Sequence, residues 1–414
     1  MENIGNSAVH VDTGVEKFVM DYGTKVQEIP PKFPIPMKGN VDAVMLTHSH
    51  LDHSGGIPLL AANKNNPPIY GIEVAKHLCR LLWMDSLKIA REEKIELPYT
   101  KRDVKTSLKN FVPVKFRTPF KLRKTKVTYF DAGHIPGSAM IYSKFDDGKA
   151  LLYTGDYNTI DTRLMKKADM NLPDVDYLIT ESTYSDREHP DRKEMEKELV
   201  KIVDETLAND GITLIAGFAV GRIDELLLVL KKHGVQCPIY VDGMAKKAIT
   251  IINQYKSLLK EKDSLDNALE NVEYVYGDVM RKRIVKKPGV ILTTSGMLSG
   301  GAIIPYLRKL HSQEESSLIL TSFQAEGTPG KNLLETGRFV YPKENIDVEV
   351  EMFVKRLEFS SHIAKKDLFD FAKKLNPEKI FCVHGDHTEE FAMELKHNGF
   401  DAIAPVANNR VFKL

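Results

Sequence analysis

Residues 47 to 56 read THSHLDHSGG, and four side chains in that run, His48, His50, Asp52 and His53, are of the kinds that ligate cations. His48 and His50 are two apart, so on extended backbone both project to one side, while Asp52 and His53 fall in the turn or first helical residues that follow. Their nitrogen and oxygen atoms can therefore converge. A set of imidazoles and a carboxylate without thiolates favours zinc, with manganese or iron as alternatives, and leaves a coordination position for water, as catalytic sites do. One histidine after a strand reads as a solvent-facing turn residue, and one aspartate as a helix cap. Four ligand types at H-x-H-x-D-H spacing point instead to a metal site.

A tetrahedral ion needs only three or four ligands, and the chain offers more. His134 in DAGHIPGSAM, Asp156 in LLYTGDYN and His384 in FCVHGD each follow a strand-like run beside a glycine. Taken singly, each reads as a turn residue. Together they allow two ions bridged by one carboxylate, about 4 Å apart, an arrangement that clamps a phosphoryl oxygen and makes water nucleophilic at neutral pH.

These donors need strands to position them, and the opening third supplies them. AVHVDTG, KFVMDYG, VDAVMLT, KVTYFDAG and ALLYTGD are short apolar runs that stop at Gly, Asp or His, and Glu73 to Lys94 between them has helical spacing. From about Ser185 the pattern becomes βα alternation. A helix over Glu194 to Asn209 is followed by the strand GITLIAGFAV, the helix GRIDELLLVLKKHG, CPIYVDG leading into a helix from Met244 to Lys260, GVILTTSG leading into Ile303 to Leu310, and SSLILTSF. Such alternation predicts a mostly parallel sheet. The tail, from about Glu349, returns to a strand, a helix over Lys366 to Leu375 and the strand KIFCVHGD. The turn Ser295-Gly296-Met297-Leu298-Ser299-Gly300-Gly301 lies between a strand and a helix, where backbone N–H groups can cradle an anion.

With 414 residues, 42% of them hydrophobic, the chain is ordinary globular material long enough for more than one domain. No run of about 20 apolar residues occurs, and Glu2, His10, Asp12 and Glu16 interrupt the stretch where a signal peptide would need its apolar centre, so a cytoplasmic protein is expected. Cys79, Cys237 and Cys382 form neither a C-x-x-C motif nor an even set, which argues against a disulfide framework and a thiolate zinc site. Lysine and arginine number 58 against 57 acids, so only local distribution bears on polyanionic partners. From Lys101 to Lys126 ten cations are answered in sequence only by Asp103, and RKRIVKK from Arg281 to Lys287 has no acid. Either run alone reads first as a solvated face, and second as a basic patch.

THSHLDHSGG with DAGH, TGD and VHGD resembles the metallo-β-lactamase superfamily. ESTYSDREHPDRKE, GRIDELLLVL, TTSGMLSGG, SFQAEGTPG and FSSHIAKKDL narrow the resemblance to its β-CASP nucleases, in particular archaeal relatives of the cleavage and polyadenylation specificity factor endonuclease and of RNase J. The motifs follow the expected order along nearly the whole chain.

The resemblance implies an α/β protein: an αββα metallo-β-lactamase sandwich from residues 1–185 and 356–414, with a β-CASP domain of mostly parallel βα sheet inserted at 186–355, and an active site where they meet. It implies that His48, His50 and His134 hold one zinc, that Asp52, His53 and His384 hold a second, and that Asp156 bridges them, with manganese as the alternative ion. Asp21, in KFVMDYG, would orient a ligating histidine, and Glu181 and His362 would pair beside the ions, the histidine protonating the leaving ribose oxygen.

In this context Ser295, Gly296, Ser299, Gly300 and Gly301 would contact RNA phosphates, as would Ser360 and Ser361. The implied function is a two-metal ribonuclease of RNA processing or decay, endonuclease or 5′→3′ exonuclease. The alternative is a non-catalytic RNA-binding scaffold subunit of an RNA 3′-end processing complex. The expected partner is single-stranded RNA, within a homodimer or an RNA-processing complex, and no membrane. Two positions depart from the pattern: Ile363-Ala364-Lys365-Lys366 follows His362 where an aspartate is common, and Gly5-Asn6-Ser7 stands where Gly-Arg-Ser is frequent. Because Asp21 comes so early, an N-terminal KH extension is not expected.

Overall fold

A computed structural model describes residues 5–26, 28, 30–36, 39–405, 412 and 413. The chain divides into two compact units. The first takes in the chain up to Asp161, Met165–Glu188 and the chain from Ser361 onward; the second is Thr162–Leu164 with His189–Ser360.

In the first unit, a five-stranded sheet runs in spatial order Val9–Asp12, Lys17–Met20, Ala43–Met45, Ile69–Ile72 and Phe111–Val114. Only its first pair is antiparallel. A seven-stranded sheet has the order Ala402–Ile403, Lys379–Val383, Tyr177–Glu181, Ala150–Tyr153, Ala139–Lys144, Thr125–Asp131 and Phe120–Leu122. Alternation of side chains along each strand sorts them into layers. Val19, Val44 and Ile69 point outward and pack with Ala75, Cys79 and Trp83 of helix Glu73–Glu92 and Val104 of helix Lys101–Lys109. Phe130, Met140, Leu152 and Leu178 point to the opposite outside, against Leu368 and Phe371 of helix Lys365–Leu375 and Phe391 and Leu395 of helix Thr388–His397.

The alternate residues face the other sheet. Tyr129 donates to the Tyr70 carbonyl at 3.0 Å, Tyr70 stacks on Phe120 at 4.7 Å, and Tyr153 reaches Asp21 at 3.0 Å. The layers are therefore αββα. The middle strands ALLY and YLITE are buried at every position, as strands covered on both faces must be.

The second unit holds a six-stranded sheet in the order Val272–Tyr274, Ile239–Val241, Gly289–Thr293, Ile212–Ala216, Ser317–Leu320 and Phe353–Arg356, every pairing parallel. Ile212, Leu214, Ile291 and Leu318 cover one face with Ile303, Ile304, Leu307 and Leu310 of helix Ile303–Leu310. On the other face Thr206 of helix Arg192–Ala208 donates to Ser317 at 2.9 Å, and Ser317 donates to Thr213 at 3.2 Å.

Three local expectations change. The single helix from Met244 to Lys260 is instead a helix over Ala245–Ile252 and a 3₁₀ segment over Asn253–Leu258, because Tyr255 leaves the helical region at φ −116°, ψ 44°. The strand after Glu349 is Phe353–Arg356, and it completes the six-stranded sheet of the second unit. The Lys101 to Lys126 run is less of a free basic patch than its sequence suggests, because acids distant in the chain answer it: Arg117 binds Asp169 at 3.1 Å, Arg123 binds Asp42 at 2.6 Å and Lys124 binds Asp146 at 2.7 Å. Among the described residues no helix is long and apolar enough to cross a membrane.

Candidate metal centre

Apart from His362, each chemistry-bearing side chain of the first unit sits where the chain leaves the C-terminal end of a strand, which is where ligand-binding residues gather in parallel α/β sheets. Asp21 follows Lys17–Met20, His48 to His53 follow Ala43–Met45, and His134 follows Thr125–Asp131; Asp156 follows Ala150–Tyr153, Glu181 ends Tyr177–Glu181, and His384 follows Lys379–Val383. The parallel register pairs Glu181 with Val383, so Glu181 and His384 leave the sheet side by side.

Close backbone approaches draw these loops together. Tyr22 donates its N–H to the His53 carbonyl at 2.7 Å, Ser7 donates to the Asp52 carbonyl at 2.8 Å, and Gly56 donates to the Tyr22 carbonyl at 2.7 Å. A Cβ on Gly23 would stand 1.7 Å from the Asp52 carbonyl oxygen, so only glycine lets the two loops lie this close. Gly23→Ala is therefore expected to displace Asp52 and His53 and to destabilise the protein by about 1–3 kcal/mol, as overpacking does; thermal denaturation and zinc titration against the parent check this. On the far side of the loop the lone tryptophan, Trp83, donates Nε1–H to the Ser54 carbonyl at 3.1 Å, and Ser54 Oγ donates to the Ser49 carbonyl at 2.8 Å. Asp21 and His384 take left-handed backbone at φ 58° and 53°, a conformation costly for non-glycine residues that clusters at functional sites.

Partners behind the rings fix the tautomers. Thr47 Oγ1 gives its one proton to Asp21 Oδ2 at 2.7 Å and so accepts from His48 Nδ1 at 3.1 Å, which leaves the His48 lone pair on Nε2. His53 Nδ1 donates to Asp21 Oδ2 at 2.7 Å and His134 Nδ1 to the Ser361 carbonyl at 2.9 Å, leaving Nε2 as acceptor in both. Thr183 gives its proton to the His384 carbonyl, so His384 Nδ1 donates to Thr183 Oγ1 at 3.2 Å.

The lone pairs meet in two places. His48 Nε2 and His134 Nε2 each lie 3.2 Å from His50 Nδ1. His48, His50, His134 and Asp156 form one set of donors and Asp52, His53, Asp156 and His384 another, each set within 4.8 Å, with Asp156 common to both. His53 Nε2 and Asp156 Oδ1 are buried 3.2 Å apart, yet among the described residues neither has a hydrogen-bond partner. A cation touching both would satisfy the two atoms at once. The donor set fits divalent ions.

Burial holds His48 and His134 well below the ordinary imidazole range, aided by neighbouring imidazoles, and lowers His50 despite Asp52 and Asp156. These rings are neutral at pH 7, the state in which they ligate. Burial would raise Asp156 and Asp52, but the imidazoles around them reverse this and keep both ionised. Burial likewise opposes protonation of His53 and His384, and adjacent carboxylates outweigh it, raising both, so a cation entering the second set competes with a proton for these rings.

A third set, Asp156, Glu181 and His362, adjoins the first two. His362 Nδ1 donates to Glu181 Oε2 at 2.8 Å, while Glu181 Oε1 accepts from the Tyr157 N–H at 2.8 Å. The His362 ring lies 4.6 Å from that of His134. Burial lowers the pKa of His362, and the carboxylates of Glu181 and Asp156 overcome it, lifting it to about 9.

The other expected residues lie elsewhere. Ser295, Gly296, Ser299, Gly300 and Gly301 follow strand Gly289–Thr293 in the second unit, with Ser360 at that unit's end. Ser361 belongs to the first unit and serves the centre through its backbone carbonyl. Sequence reading missed the supporting side chains Thr47, Tyr153 and Thr183. Of these only Thr47, adjacent to His48, carried a local signal.

Residues 223–333 match the family profile described as Beta-Casp domain, and 347–405 the Zn-dependent metallo-hydrolase RNA specificity domain. Residues 2–195 match the profile described as Anti-Pycsar protein Apyc1. Among curated proteins, Probable RNase MJ4 of Methanocaldococcus jannaschii is 36% identical, with 99% of this chain and 97% of that protein covered. RNase aCSPSF2 of Saccharolobus solfataricus is 33% identical over 97% and 82% of the two chains, and transcription termination factor FttA of Methanocaldococcus jannaschii is 35% identical over 93% and 66%. A crystal structure of a protein of unknown function from Enterococcus faecalis V583 shares the fold, with a TM-score of 0.60 at 13% identity over 99% of this chain and 97% of that one. Full-length similarity at this level is common descent, and the chain belongs to the β-CASP ribonuclease family of the metallo-β-lactamase superfamily.

Proposed function

We propose that the protein is a zinc-dependent ribonuclease that hydrolyses RNA phosphodiester bonds with two metal ions. One observation carries the proposal: two donor sets share Asp156, and His48, His53 and His134 are oriented from behind so that their Nε2 lone pairs face inward. His48, His50 and His134 would hold one ion, Asp52, His53 and His384 the other, and Asp156 both, with manganese as the alternative metal. Residues 1–185 and 356–414 would form the catalytic domain and 186–355 the β-CASP domain. When bound, such a pair supplies a water made nucleophilic at neutral pH and positive charge opposite the phosphoryl oxygens.

The protein's own groups do the rest. Glu181 orients His362, whose Nε2 hands a proton to the leaving ribose oxygen. Asp21 positions rather than reacts: its carboxylate accepts from Thr47 N–H, Thr47 Oγ1, His53 Nδ1 and Tyr153 OH. The relatives named as RNases support RNA as the substrate.

Metal analysis of the purified protein tests the reading. Two equivalents of zinc, with single-stranded RNA cleavage lost to a chelator and restored by zinc, are expected; less than one equivalent and no cleavage would favour the scaffold alternative. Asp21→Asn keeps the shape but cannot satisfy four donors, so zinc affinity by chelator competition is expected to fall about 10–100-fold. Comparing 5′-monophosphate, 5′-triphosphate and 5′-hydroxyl end-labelled RNA assigns the mode of cutting.

A further inference from the structure

We propose that the edge of the six-stranded unit around Tyr276 and helix Gly277–Ile284 is a binding surface for single-stranded RNA. The proposal rests on the ribonuclease reading for its choice of polymer. Tyr276 and Val279 are 70% and 86% exposed, the two most solvent-exposed of the large apolar side chains described. Lys246 Nζ stands 4.3 Å from the Tyr276 ring centroid on one side. At that exposure the opposite ring face is open to a planar group.

The helix that follows supplies the charge. Lys282, Arg283, Lys286 and Lys287 are all exposed; Val279, Lys282 and Arg283 share one helical stripe, and Lys286 and Lys287 lie in the turn just past its end. Among the described residues, Lys282, Lys286 and Lys287 have no acidic partner, whereas Arg283 pairs with Glu273 at 2.8 Å and Arg281 with Asp242 at 2.6 Å. Beside the stripe lies an open depression of about 260 Å³ lined by Tyr240, Glu273, Arg283, Ile284 and Lys287, suited to one ring system rather than a large ligand. An exposed aromatic ring followed by unpaired cations is how sequence-tolerant single-strand sites are built: bases stack on the ring and the cations track the phosphates. Unpaired ammonium groups favour a polyanion over a protein strand added at the edge strand Val272–Tyr274.

Binding can be read apart from turnover by fluorescence anisotropy of the full chain with a 30-nucleotide phosphorothioate oligouridylate, which resists cleavage. The triple variant Lys282→Glu, Lys286→Glu, Lys287→Glu is expected to bind at least tenfold more weakly, with the slope of log K against log salt reduced by about 2, the value for three phosphate contacts on a single strand. Tyr276→Ala is expected to weaken binding about 5- to 150-fold, and Tyr276→Phe to preserve it. Cleavage of a six-nucleotide RNA should match the parent in all three, which also shows that they fold. Unchanged affinity and salt slope in the triple variant overturn the proposal, as does a change in oligomeric state without a change in RNA binding. Failure of the ribonuclease reading would look different: the parent itself would not cut the six-nucleotide RNA.

Discussion

Asp156→Ala is expected to lower RNA hydrolysis by at least about 10³-fold, some 4 kcal/mol of transition-state stabilisation, because one carboxylate belongs to both donor sets. The loss is larger than for a ligand confined to one set. Asp156 is also the anion facing His48, His53, His134 and His384 at 3.2 to 3.7 Å, so its removal leaves the first set, His48, His50 and His134, without a carboxylate of its own. Zinc content should fall from about two equivalents to one or fewer, while far-ultraviolet circular dichroism stays that of the parent. Hydrolysis within tenfold of the parent would rule out a shared carboxylate at the heart of the reaction.

His362→Ala is expected to cost about 10²–10⁴-fold in single-turnover cleavage, the range for a positioned general acid, with zinc content unchanged. Glu181→Gln should cost less than His362→Ala, since an amide oxygen can still accept from His362 Nδ1 at 2.8 Å. Its NH2 then faces the Tyr157 N–H that now donates to the other oxygen, so part of the loss remains. A substrate with sulfur in place of the leaving ribose oxygen separates the two roles. Sulfur departs without a proton, so it should restore cleavage by His362→Ala and not by Asp156→Ala. Equal rescue of both variants, or of neither, would remove His362 from proton donation.

Much of the centre was legible because its donors are written beside strand ends and glycines. THSHLDHSGG declares itself through density, and DAGH, TGD and VHGD do so through the loss of hydrophobicity after an apolar run. Helix Ile303–Leu310 lies where its apolar spacing puts it. Glu181 and His362 were different: nothing local marks either, and only resemblance to a family joined them. Helix Lys101–Lys109 was hidden inside a run read for its charge, although Thr100 and Asp103 form a capping box there. The acids that answer that run, Asp42, Asp146 and Asp169, are remote in sequence, so pairing of this kind is invisible until the sheets form. Helix Pro329–Thr336 and the hairpin of Arg338–Tyr341 with Ile346–Glu349 were passed over, though Pro329 at the start and Gly337 at the end of that helix were available signals.

The interruption of the first unit by His189–Ser360 divides its donors into an early and a late group in the chain. His48, His50, His134 and Asp156 all precede the interruption, so one ion could be captured as soon as the first two sheets' early strands condense. His384 and His362 follow it and join through pairing of Lys379–Val383 with Tyr177–Glu181, a contact between strands about 200 positions apart that loop-closure entropy delays. A chain that had not yet paired this late strand would therefore hold the donors of the first set without His384 and His362.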